Sequence, residues 1–327
     1  MKPTLRPIWI VINVCVLTLT ACGQNAGPAD PLATTSTAEP VASSTNTPAP
    51  TATEPPPTVT LAPSPTPTLA IPAVLEAGTT VVDGDGTTLI YIPAGEFLMG
   101  AKGDDTEYFV PNDYELPRHK VTLDAYWIDQ TEVSIKQYKA CVSAGKCVPP
   151  AITASNFSES YYDDPKYENH PVIELQWEGA FNYCAWVNRR LPTEAEWEKA
   201  ARGDDGRMYP WGDEEPFLLE DNSLNYHSEI GSTTPVTEHF SDVSPYGVYN
   251  MAGNVSEWVA DWFHPHYYEV SPSINPLGPE TPPGSVDGFP ETHVRRGGSY
   301  YSDSFGVRTV FRGIDRHDIG FRCARSE

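Results

Sequence analysis

Apolar residues are distributed along this chain in three regimes. A nearly unbroken apolar run extends from Ile8 to Leu19, behind Lys2 and Arg6. From Gly23 to about residue 79 large apolar side chains are sparse. From about residue 80 to the end, apolar and aromatic residues recur throughout, at spacings that specify short elements. Thr87 to Gly100 reads as two short strands around the turn Pro93-Ala94-Gly95, and Lys120 to Ile128 alternates Val121, Leu123, Ala125 and Trp127 on one face of a strand. Ser134 followed by Gln137 forms a capping box, which predicts a helix from Ile135 to Ser143. Ala180, Tyr183, Cys184 and Val187 share a helical face and predict a helix from Glu178 to Asn188. Thr193 and Glu196 form a second capping box, starting a helix that ends near Arg202-Gly203. The remainder is rich in Gly, Pro, Asn and Trp and reads as turn-dominated. Few helices and many short strands predict an α+β fold.

The first two regimes describe export. The charged start, the short apolar run and the tetrapeptide Leu19-Thr20-Ala21-Cys22 have the layout of a signal peptide. The run is too short for a permanent membrane span. A small-residue pair before a cysteine resembles the bacterial lipobox, so residues 1–22 are expected to be a lipoprotein signal with Cys22 as the lipidation site. Residues 23–79, mostly Pro, Thr, Ala and Ser, cannot bury enough surface to offset chain entropy and are expected to form a disordered tether. At about 3 Å per residue of extended polyproline it reaches on the order of 100 Å. Residues 80–327 are then one domain, long enough for a sizeable core. The expected location is a bacterial membrane, anchored by lipid and facing the extracytoplasmic side.

Charge and cysteine content sharpen this picture. The formal net charge is −23, from 21 Lys and Arg against 44 Asp and Glu, which disfavours nucleic acid as a partner. Of six cysteines, Cys15 and Cys22 fall in the export signal. The remaining four are an even number in an oxidising compartment, so two disulfides are expected.

Eight motifs occur in order across the third regime: IPAGEFLMG (92–100), LPRHKVTLDAYWIDQTEVS (116–134), HPVIELQW (170–177), RLPTEAEWEKAARG (190–203), YPWGDE (209–214), YGVYNMAGNVSEWVADWF (246–263), RRGGSY (295–300) and IGFRCARS (319–326). Together they resemble the successive signatures of the formylglycine-generating enzyme (sulfatase-modifying factor) family. The resemblance implies a modified C-type-lectin-like fold with little regular secondary structure. It also implies a disulfide between Cys184 and Cys323, while Cys141 and Cys147 are expected to close a local loop. The family's namesake is a copper-dependent oxidase that converts a sulfatase cysteine to formylglycine through two cysteines just after Gly-Gly-Ser. Here no cysteine occurs between Gly297 and Arg322, and Ser302 and Val307 stand where those thiols are expected. Cuprous ion requires soft thiolate ligands, so no copper is expected.

The resemblance also implies a structural calcium ion, held by Asn250, the carbonyls of Gly253 and Val255, and Glu257. Oxygen donors of this kind suit a hard cation. A second calcium loop is expected to use Asn222, the Ser223 carbonyl and Glu229. His264 and His266 with Glu269 have the spacing of an iron or zinc site, but their place in the family pattern reads as a solvated loop. Glu194, Glu196 and Glu198 read as scaffold, and so do Arg308 and Arg312. Ligand contact is expected on the segment after Gly-Gly-Ser, through Ser299, Tyr301, Ser302, Asp303 and Arg316, which mix aromatic faces with donors and acceptors.

The function expected from these residues is a membrane-anchored ligand-binding or scaffold module whose extracellular or envelope ligand is unidentified. The sequence leaves two alternatives. One is a metal-dependent, non-haem iron-type oxidoreductase or protein-modifying enzyme, resembling the pyoverdine-maturation proteins. The other is a variable protein of a diversity-generating retroelement.

Overall fold

Each principal helix begins where a side chain can satisfy the free N–H groups of its first turn. The computed structural model describes residues 75–103, 110–219, 224–238, 241–314 and 317–327. The signal, Cys22, most of the tether, Asn222, Ser223 and Arg316 lie outside the described residues. Helix α1 (Ile135–Ser143) is closed by a reciprocal box, with Gln137 N donating to Ser134 Oγ and Ser134 N to Gln137 Oε1 at 2.9 Å. Helix α2 spans Trp177–Trp186. Helix α3 (Glu194–Arg202) repeats the box, with Thr193 N donating to Glu196 Oε2 at 2.8 Å and Glu196 N to Thr193 Oγ1 at 3.1 Å. A single-turn helix, α4, covers Tyr267–Val270.

Among the described residues nine strands accompany these helices: β1 (Thr80–Val82), β2 (Thr88–Ile92), β3 (Gly95–Met99), β4 (His119–Leu123), β5 (Tyr126–Asp129), β6 (Ser256–Trp262), β7 (His293–Arg296), β8 (Ile319–Phe321) and β9 (Ala324–Ser326). They form a four-stranded sheet ordered β1-β2-β5-β9, a β3–β4 pair and a three-stranded sheet ordered β7-β6-β8. The α+β expectation holds, and the half that reads as turns contains β6 to β9.

One strand differs from its sequence pattern. Lys120 to Ile128 is broken at Asp124 and Ala125, so β4 pairs with β3 while β5 enters the four-stranded sheet. Asp124 N leaves the ladder and donates to Asn275 Oδ1 at 2.9 Å. The break shifts the parity of every residue after it. Val121 and Leu123 enter the main core as expected, but Tyr126 and Ile128 follow them there, and Trp127 instead packs on Tyr91 at 5.2 Å.

The main core gathers β2 to β5 and the buried face of α3 around Trp197. A second core holds Tyr138, Tyr183 and Phe321 together with all four described cysteines. The pairs are Cys141–Cys147 and Cys184–Cys323, as expected. The second ties α2 to the chain between β8 and β9, across 139 residues. In the chain-entropy view, opening it costs roughly 5 kcal/mol and opening the local loop roughly 2. Denaturant unfolding of Cys184→Ala/Cys323→Ala should therefore show about twice the loss of Cys141→Ala/Cys147→Ala, and equal losses would contradict that view.

His293 sits in an aromatic stack that joins α2 to the three-stranded sheet. Trp177 lies 3.8 Å from its ring with 4° between planes, Trp262 lies 3.7 Å away on β6, and Nδ1 is 3.0 Å from the Ala260 carbonyl oxygen. Burial pulls its imidazole down to about 4. A depressed histidine contributes stability that is complete above its unfolded value near 6.5 and is lost as pH falls toward 4. His293→Phe keeps the stack and removes the titration. Melting profiles of wild type and His293→Phe should diverge progressively between pH 6.5 and 4, with the wild type falling more steeply.

Candidate functional site

The segment that follows β7 is carried over the core by two glycines that admit no substitute. At Gly297 a Cβ would lie 2.9 Å from Trp197 Cζ2, and at Gly298 it would lie 2.6 Å from the Gly306 carbonyl oxygen; both residues have positive φ. The chain then folds into a compact turn. Ser299 N donates to Ser302 Oγ at 2.9 Å, Tyr301 N donates to Ser299 Oγ at 3.3 Å, and Gly306 N donates to Asp303 Oδ1 at 3.0 Å. Ser299, Ser302 and Asp303 are thus brought together, each with a share in building the turn. Tyr301 projects from it, 70% exposed.

Beneath the turn lies a polar cluster that sequence reading missed. Tyr300 is buried and its hydroxyl donates to Asp318 Oδ1 at 3.3 Å, while Asp318 N donates to Glu174 Oε1 at 3.3 Å. Asn156 Nδ2 approaches Asp318 Oδ2 at 3.5 Å. Burial first and Glu174 second push the Asp318 carboxyl above its ordinary range. The positive φ values of Glu174 and Asp318 are the local distortions that let the two acids meet. Their separation in sequence hid the pair, and no spacing pattern signals it.

The positions expected of the copper thiols hold other chemistry. Ser302 Oγ is engaged in the turn, and Val307 is fully buried among Met208, Tyr209, Tyr226 and Val310. With the four described cysteines in disulfides, no thiolate donor faces this segment among the described residues. The donor set does not fit cuprous ion.

The arginines that follow serve the scaffold. Arg308 Nη2 donates to both oxygens of Glu115 at 3.0 and 3.1 Å, and its guanidinium lies 3.8 Å from the Phe305 ring. Arg312 Nε donates to Glu194 Oε1 at 2.7 Å. Glu194 and Glu198 also receive Arg296, at 2.8 and 2.7 Å. Glu196 caps its helix and pairs with Arg190 at 2.6 Å. His266 lies between Glu269 and Asp287, each at 2.8 Å, and these partners raise its imidazole above the ordinary value. His264 Nδ1 accepts from His266 N at 3.1 Å, so the histidine pair forms an exposed hydrogen-bonded loop.

The Asn250 to Glu257 loop lies deep in the domain. Asn250 and Asn254 adopt positive φ and donate through Nδ2 to opposite oxygens of Glu132 at 2.9 and 2.7 Å. A Cβ at Gly253 would lie 2.5 Å from the Asn225 carbonyl oxygen. Val255 is buried immediately before β6. Glu257 is fully enclosed and accepts from Trp197 Nε1 at 2.8 Å and from Arg322 Nε and Nη2 at 2.7 and 2.6 Å. Around this loop the carboxyls of Glu132 and Asp242 are pushed up to about 7, chiefly by burial. Asp242 Oδ1 and Asn225 Oδ1 are buried with no hydrogen-bond partner among the described residues. Glu229, expected to complete the second calcium loop, is exposed.

Comparison with known proteins bears on this geometry. A family model for the sulfatase-modifying factor enzyme 1-like domain matches residues 77–327. The formylglycine-generating enzyme of Streptomyces coelicolor is 33% identical over 72% of this chain and 88% of its own length. The serine/threonine-protein kinase Pkn1 of Chlamydia trachomatis serovar L2 is 33% identical over 73% of this chain, which spans only 38% of that protein. Among solved structures, PvdO from Pseudomonas aeruginosa superposes with a TM-score of 0.63 at 28% identity, covering 78% of this chain and all of that one.

Arg322 has its principal charge partner in Glu257, so truncating that glutamate strands a buried guanidinium. Glu257→Ala should cost about 3–5 kcal/mol in denaturant unfolding. A loss below 1 kcal/mol would show that the pair is not the anchor described.

Proposed function

Because the chain belongs to the sulfatase-modifying factor enzyme 1-like family, we propose that it is a membrane-anchored, extracytoplasmic ligand-binding or scaffold module that uses this fold without copper-oxidase chemistry. The observation that carries this reading is the identity of the two positions expected to hold thiols. Ser302 spends its hydroxyl on a turn, and Val307 is a core side chain. Anchoring rests on the sequence alone, through Cys22 and the tether of residues 23–79. Use of the domain as a module is supported by the chlamydial kinases, in which the matched region is a minor part of the protein.

The ligand surface of this proposal is the turn from Ser299 to Asp303 with Tyr301 at its apex; Arg316, a further candidate from the sequence, lies outside the described residues. The exposed ring supplies an apolar face, and the carboxylates of Asp303 and Glu174 supply acceptors nearby. A ligand with both an aromatic or apolar part and hydrogen-bond donors is suited to it. The assay gives the purified protein copper, oxygen and a sulfatase-type cysteine peptide, and in parallel screens envelope glycans and peptides for binding. No formylglycine is expected. The bound ligand should lose at least tenfold in affinity on Tyr301→Ala or Asp303→Ala, about the worth of a buried aromatic or charged contact. Turnover of the peptide would overturn the reading.

Calcium is proposed as a structural ion of the Asn250 loop, with Asn250, the Gly253 and Val255 carbonyls and Glu257 as the candidate ligands. The fit rests on excess buried acid. Glu132, Asp242 and Glu257 surround one guanidinium, that of Arg322, and Asp242 and Asn225 each hold an unpartnered oxygen nearby. Hard oxygen donors suit this cation, and a bound cation would favour the ionised form of Glu132 and Asp242. An ion that binds only the folded state at a hundredfold excess over its dissociation constant adds about 2.7 kcal/mol. Chelation should therefore lower the melting temperature by several degrees and readdition of calcium restore it; coincident curves would exclude the ion.

A further inference from the structure

A cavity of about 640 Å³ opens among the β4–β5 break, α2, the approach to α3 and residues 275–277, and none of its lining residues belongs to the segment from Ser299 to Asp318. That volume lies within the range of small-molecule sites, roughly 300–1,000 Å³.

The strand break makes the cavity. Residues 273–275 add to the outer edge of β4, with Thr122 N donating to the Ser273 carbonyl at 2.8 Å and Asn275 N to the Thr122 carbonyl at 2.9 Å. Asn275 then locks Asp124 through both functions of its amide, accepting from Asp124 N at 2.9 Å and donating to Asp124 Oδ2 at 2.8 Å. This strap carries Leu277 to the cavity, 71% exposed.

The facing wall is aromatic and rigid. Phe181, 46% exposed, stacks on Trp177 at 5.2 Å, and Trp177 is fixed from behind by His293 and by donating its indole N–H to the Val259 carbonyl at 2.8 Å. Large apolar side chains are thus held exposed in a concave site by a framework that does not let them collapse onto one another.

The charges select the ligand. Arg190 is neutralised by Glu196 through two parallel bonds of 2.6 and 2.7 Å. Asp124, by contrast, is held by a neutral amide, which orients its carboxylate without cancelling its charge. The cavity therefore combines an apolar and aromatic wall with the oriented negative charge of Asp124, and Glu327 adds a second carboxylate to its lining.

We propose that this cavity is a second binding site, independent of the Tyr301 surface, for a small amphiphilic cation: an amine or quaternary ammonium carried on an aromatic or aliphatic body. The body packs against Phe181, Trp177 and Leu277. The cation lies by Asp124 and the aromatic faces, where both carboxylate and ring quadrupole favour it.

The test titrates the purified protein with three probes of one shape, 3-phenylpropylamine, 3-phenylpropanol and 3-phenylpropionate, by calorimetry and saturation-transfer NMR. The amine should bind about three- to tenfold tighter than the alcohol, with the carboxylate weakest, and the preference should shrink as salt rises. Asp124→Asn should narrow the amine's advantage over the alcohol, and Asp124→Asn/Glu327→Gln should bring the amine down to it. Phe181→Ala should weaken both probes, and Leu277→Arg, which places a cation in the site, should abolish amine binding. Phe181 and Leu277 are exposed enough for their variants to fold, which melting curves verify. Equal affinity for the three probes, no amine binding at millimolar concentration, or indifference to Leu277→Arg would each overturn the proposal. Tyr301→Ala should leave amine binding unchanged, so failure of the other surface and failure of this one are told apart.

Discussion

Buried guanidinium groups hold this fold together. A chain with short strands and long irregular connections leaves many backbone carbonyls without a ladder partner, and each costs free energy if enclosed unpaired. Arginine, with five donors in a rigid fork, satisfies several at once. Arg202 reaches the carbonyls of Leu98, Gly100, Gly206 and Arg207, and Arg322 reaches those of Asp129, Gln130 and Tyr249. Their charges must in turn be paired, and glutamates do this: Glu198 takes Arg202 and Arg296, Glu194 takes Arg296 and Arg312, and Glu257 takes Arg322. Helix α3 is the hub, because Glu194, Glu198 and Arg202 lie on successive turns of it.

This arrangement separates framework from surface. The charged residues that a sequence search for acid–base chemistry would select are the ones most deeply committed to the interior, and a buried pair broken on one side is costly. The groups free to meet a ligand are peripheral. They include Tyr301 on the turn beyond the double glycine, and Phe181 and Leu277 around the cavity beside the β4–β5 break. Recognition can vary at such places without disturbing the charge lattice.

The same separation explains how a family framework persists without the copper donors. Val307 fills a core position, and Ser302 contributes to a turn whose other bonds come from Ser299 and Asp303. The fold thus accommodates different side chains at these two positions, in keeping with the general rule that function lives in sites grafted on folds.

Local information in the sequence determined a good deal. The capping boxes at Ser134 and Thr193 set the starts of α1 and α3, because the bonds that stop fraying lie within three residues of each other. The ordered motifs carried the family, the disulfide between Cys184 and Cys323, and the absence of thiols after Gly297-Gly298-Ser299. Only the tertiary structure decided the rest. The strand from Lys120 to Ile128 alternates without interruption, yet Asn275, 151 residues from Asp124, takes its amide out of the ladder and reverses the face of everything beyond. Asp318 meets Glu174 across 144 residues, and Trp177 on α2 meets His293 on β7. Periodicity and capping report contacts within one or two turns of chain. Contacts made when distant segments pack leave no spacing to read, and in this protein the Asp318–Glu174 pair and the cavity beside the β4–β5 break are built from those.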